Sequence, residues 1–253
     1  MTGLLATLGP AGTALALLVL GHVLGDFVFQ TDALAKAKYR GGPLLAHGLI
    51  VFVVHGVVFL PFLSPRTALL VIAVSVVHLL IDAVSARVRQ RETSPAIHVF
   101  LADQLAHLLV IVVAWALMDA SAWTVSPILT TLGGVATLPW ADLSTVAVYV
   151  AAFAFAHKGG NAMVRDVLPA DSPDSEHEDD LDVGYLIGSL ERWIILLLGL
   201  AGLWEAVAVV VAVKSIARFE ELKERPFAEY FLVGTLTSVL VAILLVVLVS
   251  VLV

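Results

Sequence analysis

Residues 21–32 read GHVLGDFVFQTD and close an apolar run that starts near Leu4. They set His22 and Asp26 four residues apart among Val, Leu and Phe, at the point where a bilayer-crossing helix would be finishing. The rest of the chain supports that reading. Of its 253 residues 60% are hydrophobic and the mean hydropathy is +1.01, against an apolar content of about 45–50% in soluble domains. A soluble enzyme is excluded. The first run lacks a basic leader and a small-residue cleavage site, so it reads as a retained span and not as a removed signal.

A span needs about 20 apolar residues. Candidates are residues 11–30, 44–63, 67–88, 98–118, 143–164 and 229–253, with a harder segment between 183 and 221. The stretch SAWTVSPILTTLGGVATLPWAD, 121–142, is rich in Thr, Gly and Pro with Trp123 and Trp140 near its edges. It reads as an interfacial loop, with a short re-entrant segment as the alternative.

Lys and Arg in short loops mark the cytoplasmic side. Lys36, Lys38 and Arg40 follow span one, Arg87, Arg89 and Arg91 follow span three, Lys158 and Arg165 follow span five, and Arg66 alone lies opposite. A further basic group, Lys214, Arg218, Lys223 and Arg225, requires an even number of crossings after Arg165. The intervening GYLIGSLERWIILLLGLAGLWEAVAVVVAVKSIARF would make a helix of about 54 Å at 1.5 Å per residue, too long for one crossing. Splitting it at Gly199–Gly202 gives a helical hairpin; one long helix with an interfacial start is the alternative.

The expected fold is therefore an all-α, polytopic helical membrane protein of about eight transmembrane helices in two groups of four. Its parts are an N-terminal four-helix half (1–119), a non-cytoplasmic loop (120–142), a fifth span (143–165), an acidic cytoplasmic linker (166–182) and C-terminal spans with the hairpin (183–253). Both termini fall on the non-cytoplasmic side of the cytoplasmic (inner) membrane.

The formal charge of −7 is local. Residues 166–182 hold eight acidic side chains and no Lys or Arg, which leaves +1 for everything else. This segment should stay solvated and mobile. Nothing points to nucleic acid. With no cysteine, disulfides and thiolate sites are absent, and His, Asp and Glu remain as the side chains able to hold a transition metal.

The pairing seen at His22 and Asp26 recurs. Span three ends HLLID, placing His78 and Asp82 four apart; span four begins ADQLAHLL, placing Asp103 and His107 in reverse; span two carries His47 and His55. Side chains four apart share a helix face, so each pair presents one imidazole and one carboxylate to the same point, a donor set for a borderline divalent metal. By sidedness all but His55 fall in the cytoplasmic half of the bilayer. Each ionisable group at mid-membrane costs about 2.5–3.5 kcal/mol on insertion scales, so a group this large needs mutual pairing or a bound cation. A lone membrane histidine is more often glue between helices, and a structural His/Asp network is the bland reading here.

The second half has its own polar residues. Lys214 and Arg218, with Arg192 at similar depth, are candidates to bind an anionic substrate group or lipid phosphate; plain cytoplasmic anchoring is the bland alternative for the first two. Glu191 and Arg192 lie inside the span and cannot face each other, so each is expected to find a partner on another span. His157 and Asn161 make one more four-spaced pair, and glycines at 21 and 25 and at 184 and 188 permit close helix contact.

HVLGDFVFQTDALAKAK, followed by AHGLIVFVVH, HLLIDAVSAR and FLADQLAHLLV, resembles an uncharacterised bacterial multi-pass membrane family catalogued as domain of unknown function 3307. The resemblance covers roughly residues 15–118, and GYLIGSLER, KSIARF and AEYFLVGTLTS are similar to the C-terminal extension of its longer members. It implies a multi-pass membrane location and marks His22, Asp26, His78, Asp82, Asp103 and His107 as motif positions. It implies no activity. The type 2 phosphatidic acid phosphatases also use H-x-x-x-D in a membrane, but SVVHLLID lacks the Arg that precedes theirs; the H-x-x-x-H of the alkaline-ceramidase relatives is absent.

These residues lead to a metal-dependent membrane hydrolase acting on a lipid-like or amphipathic small molecule from the cytoplasmic leaflet. His22, His78, Asp82 and His107 are the expected ligands of a divalent ion, Zn²⁺ by donor type; Asp26 and Asp103 are the expected catalytic carboxylates; His47, Arg192, Lys214 and Arg218 are expected to meet substrate. Membrane lipids are the expected partners, and a homo-oligomer is an admissible assembly. The alternatives are a proton- or cation-coupled transporter and a non-catalytic subunit of a membrane complex.

Overall fold

The computed structural model describes residues 3–38, 40–91, 94–133, 137–168 and 178–253. Among them every regular element is helical. α1 (Leu4–Thr7) is one turn, and α2 (Pro10–Val23) starts on Pro10 at its first position, where the missing N–H costs nothing. Thr31 caps α3 (Asp32–Ala37) by accepting from the Leu34 N–H. α4 (Gly41–Val58), α5 (Pro65–Gln90) and α6 (Ala96–Ala116) follow. The sequence SPRT starts α5: Ser64 and Thr67 cap each other reciprocally and Pro65 opens the helix.

Among the described residues seven helices are long and apolar enough to cross a membrane: Pro10–Val28, Gly41–Val58, Pro65–Gln90, Ala96–Ala116, Trp140–Val167, Val183–Leu200 and Arg225–Leu252. Their outer faces carry Leu45, Leu49, Leu109 and Leu236, all more than 60% exposed. So much bare aliphatic surface suits lipid and not water. The expected hairpin is present: α10 (Glu178–Leu200) turns at Ala201 and Gly202 into α11 (Trp204–Ala217). Gly202 has φ +74°, a left-handed conformation that favours glycine. The 14 residues of α11 rise about 21 Å, which makes it the short arm beside the seven longer helices.

The chain divides into two compact units, one running to Ala151 and including Val251–Val253, the other Ala152–Ser250. In the first, α2 packs on α4 and α6, α4 on α5, and α5 on α6, which closes a ring of four helices. The loop expected at 121–142 holds a short helix, α7 (Pro127–Gly133), among its described residues. Its two tryptophans dock on the turn after α4: Trp140 stacks on Phe62 at 4.6 Å, and Trp123 meets Phe59 and Phe62 edge-on.

In the second unit, α8 (Trp140–Ala154), which enters from the first, runs on into α9 (Gly160–Val167). α10, α11 and α12 (Arg225–Leu252) share a small core of Ile195, Val207 and Ala242. Most of the acidic linker, 169–177, lies outside the described residues; α10 begins within it, at Glu178.

Candidate metal centre

α2 does not end as a regular helix. Over Leu24–Val28 it widens into a π turn, closed by the Phe29 N–H donating to the Leu24 carbonyl at 2.9 Å. Such turns are rare and frequent at functional sites; this one carries Asp26. Beside it α2 and α4 approach closely because Gly21 and Gly25 have no side chains. A Cβ on Gly21 would lie 2.8 Å from the His55 ring, and one on Gly25 3.2 Å from Val51. That close approach lets a short aspartate on α2 reach a histidine on α4.

Four donors from three segments, the π turn, α4 and α5, meet there. The Nε2 of His47 lies 3.0 Å from Asp26 Oδ1, 3.0 Å from Asp82 Oδ2 and 3.2 Å from His78 Nε2. His78 Nε2 is 3.1 Å from Asp26 Oδ1 and 3.5 Å from Asp82 Oδ2. All four residues are buried. In a tetrahedral centre with bonds of about 2.0–2.1 Å the ligand atoms stand about 3.3 Å apart, and these separations bracket that value. An imidazole nitrogen has one hydrogen or one lone pair, so the three neighbours of His47 Nε2 cannot all be satisfied by hydrogen bonds. One central cation satisfies all four donors.

The remaining motif residues form a second layer on α2 and α6. His22 Nε2 is 3.1 Å from Gln104 Oε1, and the Gln104 amide donates to Asp103 Oδ2 at 3.0 Å. His107 donates from Nδ1 to the Asp103 carbonyl at 2.9 Å, its rings packing on His78 and His22 at centroid distances of 4.1 and 5.0 Å. Two further groups of donor atoms arise within 4.8 Å: His22, Asp26, His78 and His107, and Asp82, Asp103 and His107. His22 Nδ1 and His47 Nδ1 are buried without a hydrogen-bond partner, so the ring nitrogen that His47 turns away from the donor group carries no carboxylate. The void among His22, His55, His78 and His107 has no room for a water molecule.

Lys38, just past α3, donates to Asp82 at 3.0 Å and stands 2.9 Å from its second oxygen. The Gln30 carboxamide, oriented to satisfy both its ends, donates to the Asp26 carbonyl and accepts from Lys38, each at 3.0 Å. Asp26, Asp82 and Asp103 against Lys38 leave a formal charge of −2, which one divalent ion cancels.

The structure thus brings together His22, Asp26, His78, Asp82, Asp103 and His107, as their spacing suggested. It places His47, expected to meet substrate, inside the donor group. His55 stands apart, hydrogen-bonded to the Val51 carbonyl one turn back. Gln104 and Lys38 are the residues that sequence reasoning missed.

Arg192, Lys214 and Arg218 belong to the other unit. There the helix formed by α8 and α9 has its own π turn, Phe155–Gly159. Arg192, 1% exposed, donates to the Ala156 and His157 carbonyls of that turn and to Ser238 Oγ of α12. Lys214 pairs with Glu191 at 2.6 Å, so Glu191 and Arg192 do find separate partners. Arg218 is half-exposed near Glu221 and Phe227. His157 and Asn161 both bond Ser189, at 2.8 and 2.7 Å.

These features define an all-helical, multi-pass membrane protein with a buried His/Asp cluster able to hold a metal ion. Residues 14–132 match the family described as "Protein of unknown function (DUF3307)", and the chain resembles that family over this stretch. The whole cluster lies inside the match, and the second unit lies beyond it. No curated protein and no solved structure matches the chain.

Proposed function

We propose that Asp26, His47, His78 and Asp82 hold one divalent ion, Zn²⁺ by donor type, and that the protein is a membrane-embedded, metal-dependent hydrolase of a lipid-like or amphipathic substrate. The separations among the four donor atoms carry this reading. With four protein donors around it, bound zinc would supply a water acidified to a pKa of about 7 as a fifth ligand or in the place of one displaced carboxylate. Asp103, fixed by the Gln104 amide and beside His107, is placed to accept a proton. His22 and His107 pack around the donors and exclude bulk water. The reading sets the chain among lipids in the cytoplasmic (inner) membrane, both termini non-cytoplasmic by the positive-inside rule; it needs no nucleic acid and admits a homo-oligomer. Metal analysis of the purified protein tests it. About one ion per chain, lost in His47→Ala with His78→Ala, is expected; no tightly held metal rejects it.

One observation favours a second reading, cation-coupled transport. Helix interruptions at corresponding places in two halves are a mark of transporters. Here the first long helix of each half carries a π turn, at LGDFV in one and FAHKG in the other. Cation- or proton-driven uptake in proteoliposomes, abolished by Asp26→Asn, would establish transport; its absence beside hydrolytic turnover would remove it.

A further inference from the structure

A cleft of about 600 Å³ runs between α5 and α6, in the range of ligand-binding pockets at about 300–1,000 Å³. Its walls are Leu80, Val84 and Val88 on α5 and Val99, Ala102 and Ala106 on α6. On α5 the large residues recur every four positions, while on α6 two alanines take the facing places and leave the space open. Leu80 and Val84 are each 60% exposed; in a bilayer what covers them is hydrocarbon. The cleft is not uniformly apolar. Asp103 lines it, and Ser94 and His98 edge it toward the α5–α6 connection.

Asp103 also belongs to the three-donor group with Asp82 and His107. The two donor groups differ in kind. The four around His47 complete a tetrahedron among protein atoms, whereas three donors leave a coordination position free, the pattern of zinc sites that bind substrate. Charge distinguishes them too. One divalent ion already cancels the cluster's formal charge, so a second would leave +2, which a phosphate dianion neutralises. An isolated double charge in a membrane interior is strongly disfavoured; the second ion and the anion are therefore expected together. Asp103, one of the three donors, lines the apolar groove, so the anion should carry an apolar chain. A groove between two neighbouring helices has the width of one hydrocarbon chain.

We infer that the α5–α6 cleft binds a single-chain amphiphile with a phosphate head, which completes the coordination of a second divalent ion at Asp82, Asp103 and His107. The inference rests on the metal reading above and names its substrate class; with the second ion bound, Asp103 and His107 serve as its ligands in place of the proton-accepting and covering roles given them with one ion.

The test uses the full-length protein in nanodiscs with Zn²⁺ and three probes: dodecyl phosphate bearing a diazirine in its chain, the matching diazirine alcohol, and inorganic phosphate as competitor. Saturable labelling by the phosphate probe is expected on Leu80–Val88 and Val99–Ala106. It should fall about tenfold in Asp103→Asn and be blocked in Ala102→Trp, while the ion at the four-donor site is retained in both. The alcohol should label weakly, and inorganic phosphate should compete only at far higher concentration than unlabelled dodecyl phosphate. Ala102 is exposed, so the tryptophan fills the cleft without disturbing packed residues. Labelling spread over all lipid-facing helices, equal labelling by the alcohol, or equal competition by inorganic phosphate overturns the inference. If one ion stays bound while any of these occurs, the cleft has failed and the metal centre stands; if no ion binds at all, the metal centre itself has failed.

Discussion

The Nε2 atoms of His47 and His78, on helices α4 and α5, face each other at 3.2 Å. Two neutral imidazoles can share one hydrogen at that distance, but then only one of the two nitrogens serves as a donor. Asp26 Oδ1 and Asp82 Oδ2 crowd the same pair at 3.0–3.5 Å. A positive centre between them satisfies two nitrogens and two carboxylates at once, and the metal reading rests on this contact. Removing either imidazole should weaken metal binding more than tenfold, by analogy with the roughly 10–100-fold lost when even an outer partner of a ligand is removed. Competition against a chelating dye measures it.

Lys38 stands against Asp82 where an ion would also draw on that carboxylate. Lys38→Met removes a positive charge beside the site, so divalent affinity should rise about tenfold, some 1.4 kcal/mol. The metal-free protein should lose stability, because Asp82 is then a buried carboxylate without its ammonium. Titrations with and without chelator separate the two effects; weaker metal binding in Lys38→Met would mean that Lys38 helps to build the site.

The closeness of α2 and α4 depends on Gly21, where an added Cβ would meet the His55 ring at 2.8 Å. Gly21→Val should force the helices apart and carry Asp26 away from His47. Overpacking of this kind costs about 1–3 kcal/mol, and metal content should fall with stability. Gly56, where an added Cβ meets nothing, should accept alanine without loss of either.

Much of this centre was legible because a helix repeats: the spacing of His22 with Asp26, His78 with Asp82 and Asp103 with His107 puts each pair on one face. Three things escaped. Gln104 lies one residue from Asp103, off the four-residue spacing, and matters only because its amide spans His22 and Asp103. Lys38 carried a topological signal as a loop lysine, which hid its pairing. The π turns depend on what each helix packs against and leave no mark in residue order. The hairpin was legible at Gly199–Gly202, since a chain of that length must turn where its glycines allow.

Arg192 is held by two carbonyls of the second π turn and by Ser238. Arg192→Ala should cost about 1–3 kcal/mol, the loss expected when buried acceptors are left without their donor. Arg192→Lys should rescue little, because one ammonium cannot reproduce the guanidinium fork. Unfolding titrations in mixed micelles read the loss, and metal content at the His/Asp centre should not change.

X-ray absorption at the zinc edge of the purified, full-length protein is the most direct test of the central claim. About one tightly held ion is expected, with two imidazole nitrogens and two carboxylate oxygens at about 2.0–2.2 Å, and loss of that spectrum in His47→Ala with His78→Ala. A protein that takes up no tightly held divalent ion, or a spectrum unchanged in that double variant, would contradict it.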